Sequence, residues 1–367
     1  MNQAIAAITT EPNSEFQIES VSIEDPQAGE VLVDIKAVGV CHTDLAMVAG
    51  AFGTQFPAVF GHEGAGIVAA VGDGVTKVKT GDKVLLTFNS CGDCNRCDSD
   101  QPSYCEQFMP MNMGCVRSDG STRITMGDQK LSDNFFGQSS FASKAIANQR
   151  NIVKLDDSAD LATMAPLGCG VQTGAGAVMR SLDAQPGQSL VVIGGGAVGL
   201  SAILGGKVAK CGSIILIEPT EHRRKLALEL GADHVIDPAE GDTAEAVRAL
   251  IPAGVDLVVD TSGYVPALSS SVNMLANRGK LGIIGVPSDL QAVLPVPIIQ
   301  WLAIGGTLRG ISEGDSVPDE FIPELIEHYE NGDLPFDKFV TMYPFEDINQ
   351  AIDDAHSGEV VKVVLTF

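Results

Sequence analysis

The pattern of apolar and polar residues along the chain changes its period near residue 171. Before that point, short apolar segments alternate with turns and predict strands at 30–38, 64–72 and 82–88. After it, continuous apolar segments alternate with segments of helical period. Such alternation is typical of a parallel sheet covered by helices on both faces. The chain therefore predicts a β-rich part followed by an α/β part.

Individual elements of the α/β part follow from its apolar segments and their turn residues. The predicted strands are Ser189–Ile193, Ser213–Ile217, Val255–Asp260 and Lys280–Gly285. The predicted helices between them are Gly199–Ala209, Glu221–Leu230 and Ala267–Ala276. After about residue 312 the chain turns acidic, with solvated helices predicted at Pro318–Glu330 and Phe345–Asp354 before a last strand, VVKVVLTF.

Length, charge and apolar segments narrow the class of protein. A chain of 367 residues with 45% apolar content is long enough for two domains. Its 23 basic and 47 acidic residues give a net charge of −24, which would repel nucleic-acid phosphates and predicts no nucleic-acid partner. The N-terminal segment has no basic residue before Lys36, so no secretory or transit peptide is predicted.

The uncharged segment 184–206 has the length of a membrane span, but it contains seven glycines. Glycines in such a segment favour a buried strand that runs through a tight turn into a helix. We therefore expect no contact with a membrane, and a soluble, cytoplasmic protein.

Four of the eight cysteines lie in one loop with the spacing C-x2-C-x2-C-x7-C: Cys91, Cys94, Cys97 and Cys105. This spacing predicts a structural zinc ion held by four thiolates. A bacterial ferredoxin cluster would require a last spacing of three residues followed by proline. Iron–sulfur binding and unligated cysteines remain as alternatives, and a disulfide framework is disfavoured without a secretory signal. A closed four-thiolate site has no free coordination position, so the chemistry must lie elsewhere.

A G-x-G-x-x-G motif opens the α/β part at Gly194, Gly196 and Gly199. It follows a predicted strand, begins a predicted helix and precedes an acid, Glu218, at the end of the next strand. These features predict a dinucleotide site whose pyrophosphate faces the helix N-terminus. Glu218 would accept hydrogen bonds from the adenosine ribose and repel a 2′-phosphate, which favours NAD, whereas Arg223 is suited either to ribose or to such a phosphate. A glycine-rich core turn without a ligand is the alternative.

Three further soft metal ligands lie in glycine-flanked turns: Cys41 in GVCHTD, His62 in FGHEGAG and Cys169 in LGCGVQTG. Together with the four-cysteine loop and the GGGAVG motif, these motifs make the chain resemble the zinc-dependent medium-chain alcohol dehydrogenases over essentially its whole length. Within that family it is most similar to the aryl-alcohol (benzyl alcohol) dehydrogenases. The resemblance implies an α/β fold with a GroES-like β-rich catalytic domain (1–170 and 312–367) and a Rossmann domain (171–311).

The resemblance also implies a role for each residue that matches a family motif. Cys41, His62 and Cys169 would bind a catalytic zinc ion, so that each chain holds two zinc ions. Thr43 would accept the substrate proton, and the acids Asp44 and Glu63 would orient the ligands or tune the ion.

Other matched positions concern the cofactor and the path of the proton. Thr173 and Val198 would lie beside the nicotinamide, and Lys362 and His42 would contact the pyrophosphate. Ala46 occupies the position at which the liver-type enzymes place the last histidine of a proton relay. His42 would then take over that role, or the ribose would pass the proton to water.

The resulting hypothesis is reversible NAD-dependent oxidation of a primary aromatic or allylic alcohol in a cleft between two domains. Phe52, Phe88 and the stretch Phe108–Met113 are expected to line an apolar pocket. The family resemblance further implies a homodimer or homotetramer that associates around Trp301–Gly310. A glutathione-dependent formaldehyde dehydrogenase is an alternative enzyme, and a zinc-stapled, nucleotide-binding redox sensor is an alternative of another class.

Overall fold

The computed structural model describes residues 1–367 and divides them into two compact units. Unit 1 comprises Met1–Cys169, Val317–Ile322 and Val340–Phe367, and unit 2 comprises Gly170–Ser316 and Pro323–Phe339. Residues 323–339 therefore pack with unit 2, although the division expected from the sequence groups them with the β-rich part. An ion pair between Arg180 and Glu324 is one of the contacts that hold this segment in unit 2.

The elements alternate along the chain as follows. The strands are β1 (Asn2–Thr9), β2 (Gln17–Ile23), β3 (Glu30–Gly39), β4 (Ala58–Val59), β5 (Glu63–Val71), β6 (Lys83–Leu86), β7 (Ile124–Met126), β8 (Gln129–Lys130), β9 (Lys144–Asn148), β10 (Ile152–Lys154), β11 (Ser189–Ile193), β12 (Ser213–Ile217), β13 (His234–Ile236), β14 (Val255–Asp260), β15 (Leu275–Ile283), β16 (Thr307–Gly310), β17 (Val340–Pro344) and β18 (Lys362–Thr366). The α-helices are α1 (His42–Val48), α2 (Phe108–Met113), α3 (Leu161–Met164), α4 (Gly170–Gly176), α5 (Ala197–Val208), α6 (Glu221–Leu230), α7 (Thr243–Leu250), α8 (Val265–Ser271), α9 (Ile298–Ile304), α10 (Pro318–Glu330) and α11 (Ile348–Ser357). None of these helices combines the length and the apolar character needed to cross a membrane.

Unit 1 is built on two mainly antiparallel sheets. One has the order β4-β1-β2-β7-β8, and the other has the order β10-β6-β5-β3-β18-β17 with β9 also paired to β3. Strand β3 is the centre of the larger sheet, and its apolar residues form part of a single buried core. The long pairing of β3 with β5 matters for the site, because it sets Gly39 at the end of β3 opposite Glu63 at the start of β5.

Unit 2 contains one six-stranded parallel sheet with the order β13-β12-β11-β14-β15-β16. Strand β11 is buried along its whole length, which explains why its sequence, SLVVI, is continuously apolar rather than alternating. Full burial of each large aliphatic side chain contributes about 1.5–3 kcal/mol. Because all strands run the same way, the residues that follow β11, β12 and β14 meet at one edge of the sheet.

Four predicted elements of unit 2 have the predicted bounds, namely β11, β12, α6 and β14. The helix predicted at Ala267–Ala276 is wrong at its end, since α8 stops at Ser271 and β15 already begins at Leu275. Leu275 pairs with Val255 of β14 across a register shift. This long-range strand pairing overrides the helical preference of the local sequence.

Candidate active site

The end of β3 and the start of β5 bring three candidate metal ligands towards one point in unit 1. Gly39 and Glu63 are register partners, so Cys41 just after β3 and His62 just before β5 come from adjacent strand ends. Cys169 reaches the same place from a turn that is tied to the end of β6, where the Thr87 hydroxyl donates to the Gly168 carbonyl at 2.7 Å. Residues far apart in sequence thus converge through sheet pairing.

Asp44 orients this cluster from the first turn of α1. One carboxylate oxygen, Oδ1, lies 2.8 Å from His62 Nδ1 and accepts the Gly61 N–H at 3.0 Å. The other, Oδ2, accepts the Cys41 N–H at 2.9 Å. His62 and Asp44 are fully buried, so both the carboxylate and the imidazole depend on these contacts. Burial lowers the pKa of His62, but the Asp44 carboxylate and Cys41 together raise it above its usual value. In the neutral imidazole that a metal ion requires, the Asp44 contact would keep the proton on Nδ1 and leave the lone pair on Nε2.

The geometry of the cluster fits a metal ion. The ligand atoms of Cys41, His62, Glu63 and Cys169 all lie within 4.8 Å of one another. His62 Nε2 is buried and has no hydrogen-bond partner. This is unusual for a buried polar atom unless it binds a metal ion. A hydrogen bond with Cys169 holds the pKa of Cys41 well below its usual value, although burial acts in the opposite direction. Thiolates and a neutral imidazole are the ligands that zinc prefers.

Lys362 lies next to this cluster rather than at the protein surface. Its ammonium is 2.5 Å from Glu63 Oε2 and donates to the Val40 carbonyl at 2.9 Å. Burial lowers the pKa of Lys362, but the charges of Glu63, Cys41 and Cys169 and the hydrogen bond with Glu63 together outweigh burial, and the pKa is raised overall. The ammonium is therefore already paired in unit 1, and its contact with a cofactor pyrophosphate stays a prediction.

The four-cysteine loop also has the geometry of a metal site. Its four sulfur atoms all lie within 4.8 Å of one another, and Cys94 Sγ is 3.6 Å from Cys97 Sγ and 4.0 Å from Cys105 Sγ. Thiolates bound at about 2.3 Å to one tetrahedral ion lie about 3.8 Å apart, so these separations suit zinc. Backbone N–H groups of Glu106 and Cys97 lower the pKa of Cys94 to about 6, whereas burial raises the pKa of Cys97 and a hydrogen bond with Asp93 raises that of Cys91.

In unit 2 the glycine-rich motif forms the tight turn between β11 and α5. Gly194 has a φ of +97°, which glycine adopts without strain. A Cβ on Gly199 would lie 1.8 Å from the Gly194 carbonyl oxygen, so only glycine allows the helix to approach the strand here. A Cβ on Gly196 would meet no protein atom within 4 Å, so this backbone borders open space. The turn therefore fits a phosphate group that approaches the start of α5.

Glu218 lies beside this turn, at the end of β12. Its Oε2 accepts the Gly195 N–H at 2.6 Å and its Oε1 accepts the Thr220 N–H at 2.8 Å. Arg224, the second arginine of α6, forms an ion pair with Asp237, with a nitrogen–oxygen distance of 2.9 Å. Arg223 has a buried Nε without a hydrogen-bond partner, and a Cβ on Gly195 would touch both Glu218 and Arg223. The acid and Arg223 thus flank the phosphate turn.

The remaining predicted site residues occupy the two units as follows. Thr43 Oγ1 lies 3.7 Å from Cys41 Sγ in unit 1, and His42 is exposed at the first position of α1. In unit 2, Thr173 lies in α4, and α4 packs so tightly on α5 that a Cβ on Gly174 would lie 2.0 Å from the Val198 carbonyl oxygen. Tight packing of the two helices therefore places Thr173 and Val198 near each other.

Sequence reasoning missed three residues that contact the metal cluster. Phe136 stacks on the His62 imidazole with ring centroids 4.3 Å apart, and Phe135 meets it edge-on at 5.2 Å. The Gln138 amide donates to the His62 carbonyl at 2.8 Å. These residues follow His62 by more than 70 positions and belong to no recognisable motif, so the sequence offers no signal that would have linked them to it.

Comparisons with known proteins agree with this geometry. A family model described as an alcohol dehydrogenase GroES-like domain matches residues 27–157, and one described as a zinc-binding dehydrogenase matches residues 197–331. A geraniol dehydrogenase of Castellaniella defragrans is 43% identical over 366 residues, which are 99% of this chain and 98% of that protein.

Two solved structures resemble the whole chain. An alcohol dehydrogenase zinc-binding domain protein from Burkholderia ambifaria has a TM-score of 0.98 at 41% identity, covering 100% of this chain and 99% of its own. A benzyl alcohol dehydrogenase from Acinetobacter calcoaceticus has a TM-score of 0.97 at 37% identity, covering 100% of both chains.

We expect Asp44→Asn to lose zinc from the Cys41–His62–Cys169 cluster while the four-cysteine loop keeps its ion. Asp44 now accepts a hydrogen bond from His62 Nδ1. An asparagine can turn its NH2 group towards that nitrogen, which would misorient His62 and should weaken metal binding about 10- to 100-fold. Elemental analysis after dialysis against a weak chelator should find about two zinc ions in the wild type and about one in the variant. Asp98→Asn, which changes an exposed acid of the four-cysteine loop, is the control and should keep both ions. Equal zinc content in Asp44→Asn and the wild type would contradict this prediction.

Proposed function

The chain belongs to the zinc-dependent medium-chain alcohol dehydrogenase family, and on that premise we propose that it reversibly oxidises primary aromatic or allylic alcohols to aldehydes with NAD. The family and the fold class predicted from the sequence are both confirmed. The observation that carries the proposal is the buried cluster of Cys41, His62 and Cys169, in which His62 Nε2 has no protein partner.

Zinc bound at this cluster would supply Lewis-acid chemistry, lowering the pKa of an alcohol hydroxyl so that hydride can pass to the nicotinamide. The residues of the chain prepare that chemistry. Cys41 and Cys169 provide thiolate charge, and Asp44 holds His62 in the tautomer that presents Nε2. The Lys362 ammonium, although it is paired with Glu63, lies close enough to Cys41 for its charge to help lower the pKa of that thiol.

The proton released from the alcohol needs a path to water, and we propose that this path begins on α1. Thr43 lies beside the ligand sulfur of Cys41, so its hydroxyl is placed to accept a proton from an alcohol oxygen there. His42, the preceding residue, is exposed and can exchange a proton with solvent. Because position 46 is an alanine, we propose that His42 takes the part of the missing terminal base.

An apolar, aromatic lining near the metal cluster supports the choice of substrate class. Ring contacts run from His62 to Phe136 at 4.3 Å, from Phe136 to Phe108 at 6.4 Å, and from Phe108 to Phe88 at 5.9 Å. Phe52 is half exposed in the loop after α1. The relatives named for geraniol and benzyl alcohol act, by those names, on an allylic and an aromatic alcohol. Phe88 and Phe136 are buried in the core of unit 1, so the part-exposed Phe108 and the half-exposed Phe52 are the rings on which an aromatic or allylic group would pack.

The glutathione adduct of formaldehyde is less suited to this environment because it is anionic. Between Phe52 and Pro110 there are four basic residues. Lys77 pairs with Asp319, Lys83 donates to the Ala159 carbonyl and Arg96 donates to Gln101. Lys79 is exposed and lies near Asp82, whose pKa its charge helps to lower. Three of the four cations therefore have partners within unit 1, and the fourth lies beside an acid. A binding site for carboxylates would need unpaired cations.

The cofactor is proposed to be NAD because Glu218 presents a carboxylate at the end of β12. Two backbone N–H groups hold that carboxylate in place, and its charge would repel a 2′-phosphate. Arg224 is tied to Asp237 and to the carbonyls of Glu218 and Pro219. Arg223, whose Nε has no hydrogen-bond partner, is suited either to the ribose or to a phosphate, so the proposed preference for NAD rests on the charge of Glu218.

We expect NADH to form, by absorbance, with benzyl alcohol, cinnamyl alcohol and geraniol, and to form at least tenfold less efficiently, by kcat/KM, with ethanol. The physical reason is the apolar contact that the larger substrates gain, about 1–3 kcal/mol for small differences in size. The glutathione–formaldehyde adduct is tested as an alternative substrate. A higher kcat/KM for that adduct, or no reaction with any aromatic or allylic alcohol, would contradict the proposed substrate class. A wild-type protein with a single zinc ion and no activity would instead favour the redox-sensor hypothesis.

Replacement Glu218→Ala should raise kcat/KM for NADP and lower it for NAD, because it removes both the ribose acceptor and the repulsive charge. We expect the NAD-to-NADP preference to fall by at least tenfold, a change of about 1.4 kcal/mol. Glu221→Ala removes an equal charge from the start of α6, where Glu221 is exposed and pairs with Lys225, and it is the control. An unchanged preference in Glu218→Ala, or an equal shift in the control, would contradict the role of Glu218.

The chain is also proposed to form homodimers through unit 2. Strand β16 ends the parallel sheet, and all four of its residues are exposed. The segment 286–308, which leads into β16, carries seven exposed apolar side chains that we take as one apolar face: Val286, Leu290, Val293, Ile298, Ile299, Leu302 and Leu308. An unpaired edge strand beside a large apolar face is a hazard for a monomer but suits a symmetric interface between copies. A tetramer would need a second interface.

We expect Ile299→Glu combined with Leu302→Glu to shift the protein from dimer to monomer, since each new carboxylate would be buried without a partner at the interface. Light scattering after size exclusion reports the mass. Leu228→Glu, which changes an exposed leucine of α6 outside this face, should leave the dimer intact. A wild-type monomer, or a dimer that survives the double change, would refute this interface.

A further inference from the structure

The segment Asn134–Ser139 has an uncommon backbone for a buried stretch of unit 1. Four of its six residues have positive φ: 72° at Asn134, 51° at Phe136, 68° at Gly137 and 51° at Ser139. Only one of the four is a glycine, and a bulky residue such as phenylalanine rarely adopts this conformation. All six residues are buried. Strained residues persist when the surrounding structure fixes them, and they concentrate at functional sites.

Hydrogen bonds from the segment show what holds it in this conformation. The Gln138 amide donates to the carbonyls of His62 at 2.8 Å and Thr87 at 3.1 Å. The Ser139 hydroxyl donates to the Val59 carbonyl at 2.7 Å. The segment is thus anchored to the backbone on both sides of His62, and not merely packed near it.

The strained backbone aims two phenyl rings at His62. The Phe136 ring lies nearly parallel to the imidazole, with an interplanar angle of 22° and a centroid distance of 4.3 Å. The Phe135 ring meets the imidazole at 86° and 5.2 Å. Phe136 is only 2% exposed, so its ring is buried against the imidazole. Two geometries preferred by aromatic pairs, stacked and edge-to-face, therefore occur on one histidine.

We propose that Phe136 is a positioning residue for the metal ligand His62, and that the strained Asn134–Ser139 turn exists to press its ring onto the imidazole. This rests on the proposed function, in which His62 binds the catalytic zinc. The Asp44 carboxylate fixes one atom of the imidazole, Nδ1, but a single contact leaves the tilt of the ring plane free. The face of Phe136 fixes that tilt, so that Nε2 points towards Cys41 and Cys169 before the ion binds.

Release of zinc to a chromogenic chelator tests this proposal without any alcohol substrate. Wild-type protein holding both ions should release them in two phases. In Phe136→Leu, which keeps apolar volume but removes the ring, one phase should accelerate about tenfold while the other stays unchanged. Phe136→Tyr keeps a stackable ring and should release both ions at the wild-type rates. Lys210→Gly relieves a positive φ of 59° at an exposed position of unit 2, and it is the control for backbone strain alone.

Several results would overturn the proposal. Wild-type release rates in Phe136→Leu would show that the ring does not hold His62, and acceleration of both phases would show general loosening. Equal acceleration in Phe136→Leu and Phe136→Tyr would show that packing volume, and not ring stacking, is what matters. A wild type that holds only one zinc ion would instead remove the catalytic metal itself, which is a failure of the proposed function and is recognised before any variant is made.

The strain in the turn has its own test in the pair Phe136→Ala and Phe136→Gly. Both remove the ring and should release zinc equally fast. Glycine accepts positive φ and alanine does not, so Phe136→Gly should melt at the higher temperature, contrary to the usual order of these two residues. If Phe136→Ala melts at the same or a higher temperature, the turn is not strained and the proposal loses its premise.

Discussion

The antiparallel pairing of β3 with β5 is the constraint on which the metal cluster depends. It sets Gly39 opposite Glu63 and so brings Cys41, two residues after the end of β3, to His62, the residue before β5. Asp44 then joins the two ends, because its carboxylate accepts the Cys41 N–H and contacts His62 Nδ1. A loss of register by one residue would turn these side chains to the other face of the sheet, so the chemistry of unit 1 is inseparable from its sheet.

Unit 2 obtains its site from a different constraint, the common direction of its strands. The ends of β11 and β12 meet at one edge, where the glycine turn at 194–199 and the carboxylate of Glu218 come within hydrogen-bond distance through the Gly195 N–H. Close approach of helix to strand is possible because Gly199 has no side chain. Each unit thus builds its part of the chemistry at the ends of strands, where side chains leave the sheet and remain available to ligands.

Motifs whose residues are neighbours in sequence were predictable, and contacts between distant residues were not. The strand bounds of β11, β12 and β14 followed from apolar patterning, and the candidate ligand sets followed from spacing and family resemblance. The pairing of Lys362 with Glu63 did not, since 299 positions separate them and only β18 beside β3 brings them together. The contact of Phe136 could not be predicted either, because no motif near Phe136 indicates that its ring stacks on His62.

The local period of the amino-acid sequence determined the class of fold, and short spacing determined which residue types are suited to zinc and a dinucleotide. The family followed from the resemblance of these motifs to those of known proteins, which the family models confirm. The tertiary structure alone decided how those residues are held. It placed Asp44 and Phe136 on two sides of His62, gave Lys362 a partner and bent 134–139 into positive φ. The physical reason is that the neighbours of a buried side chain set its orientation. In this fold the pairing of strands supplies those neighbours, and paired strands bring together residues that are far apart in the sequence.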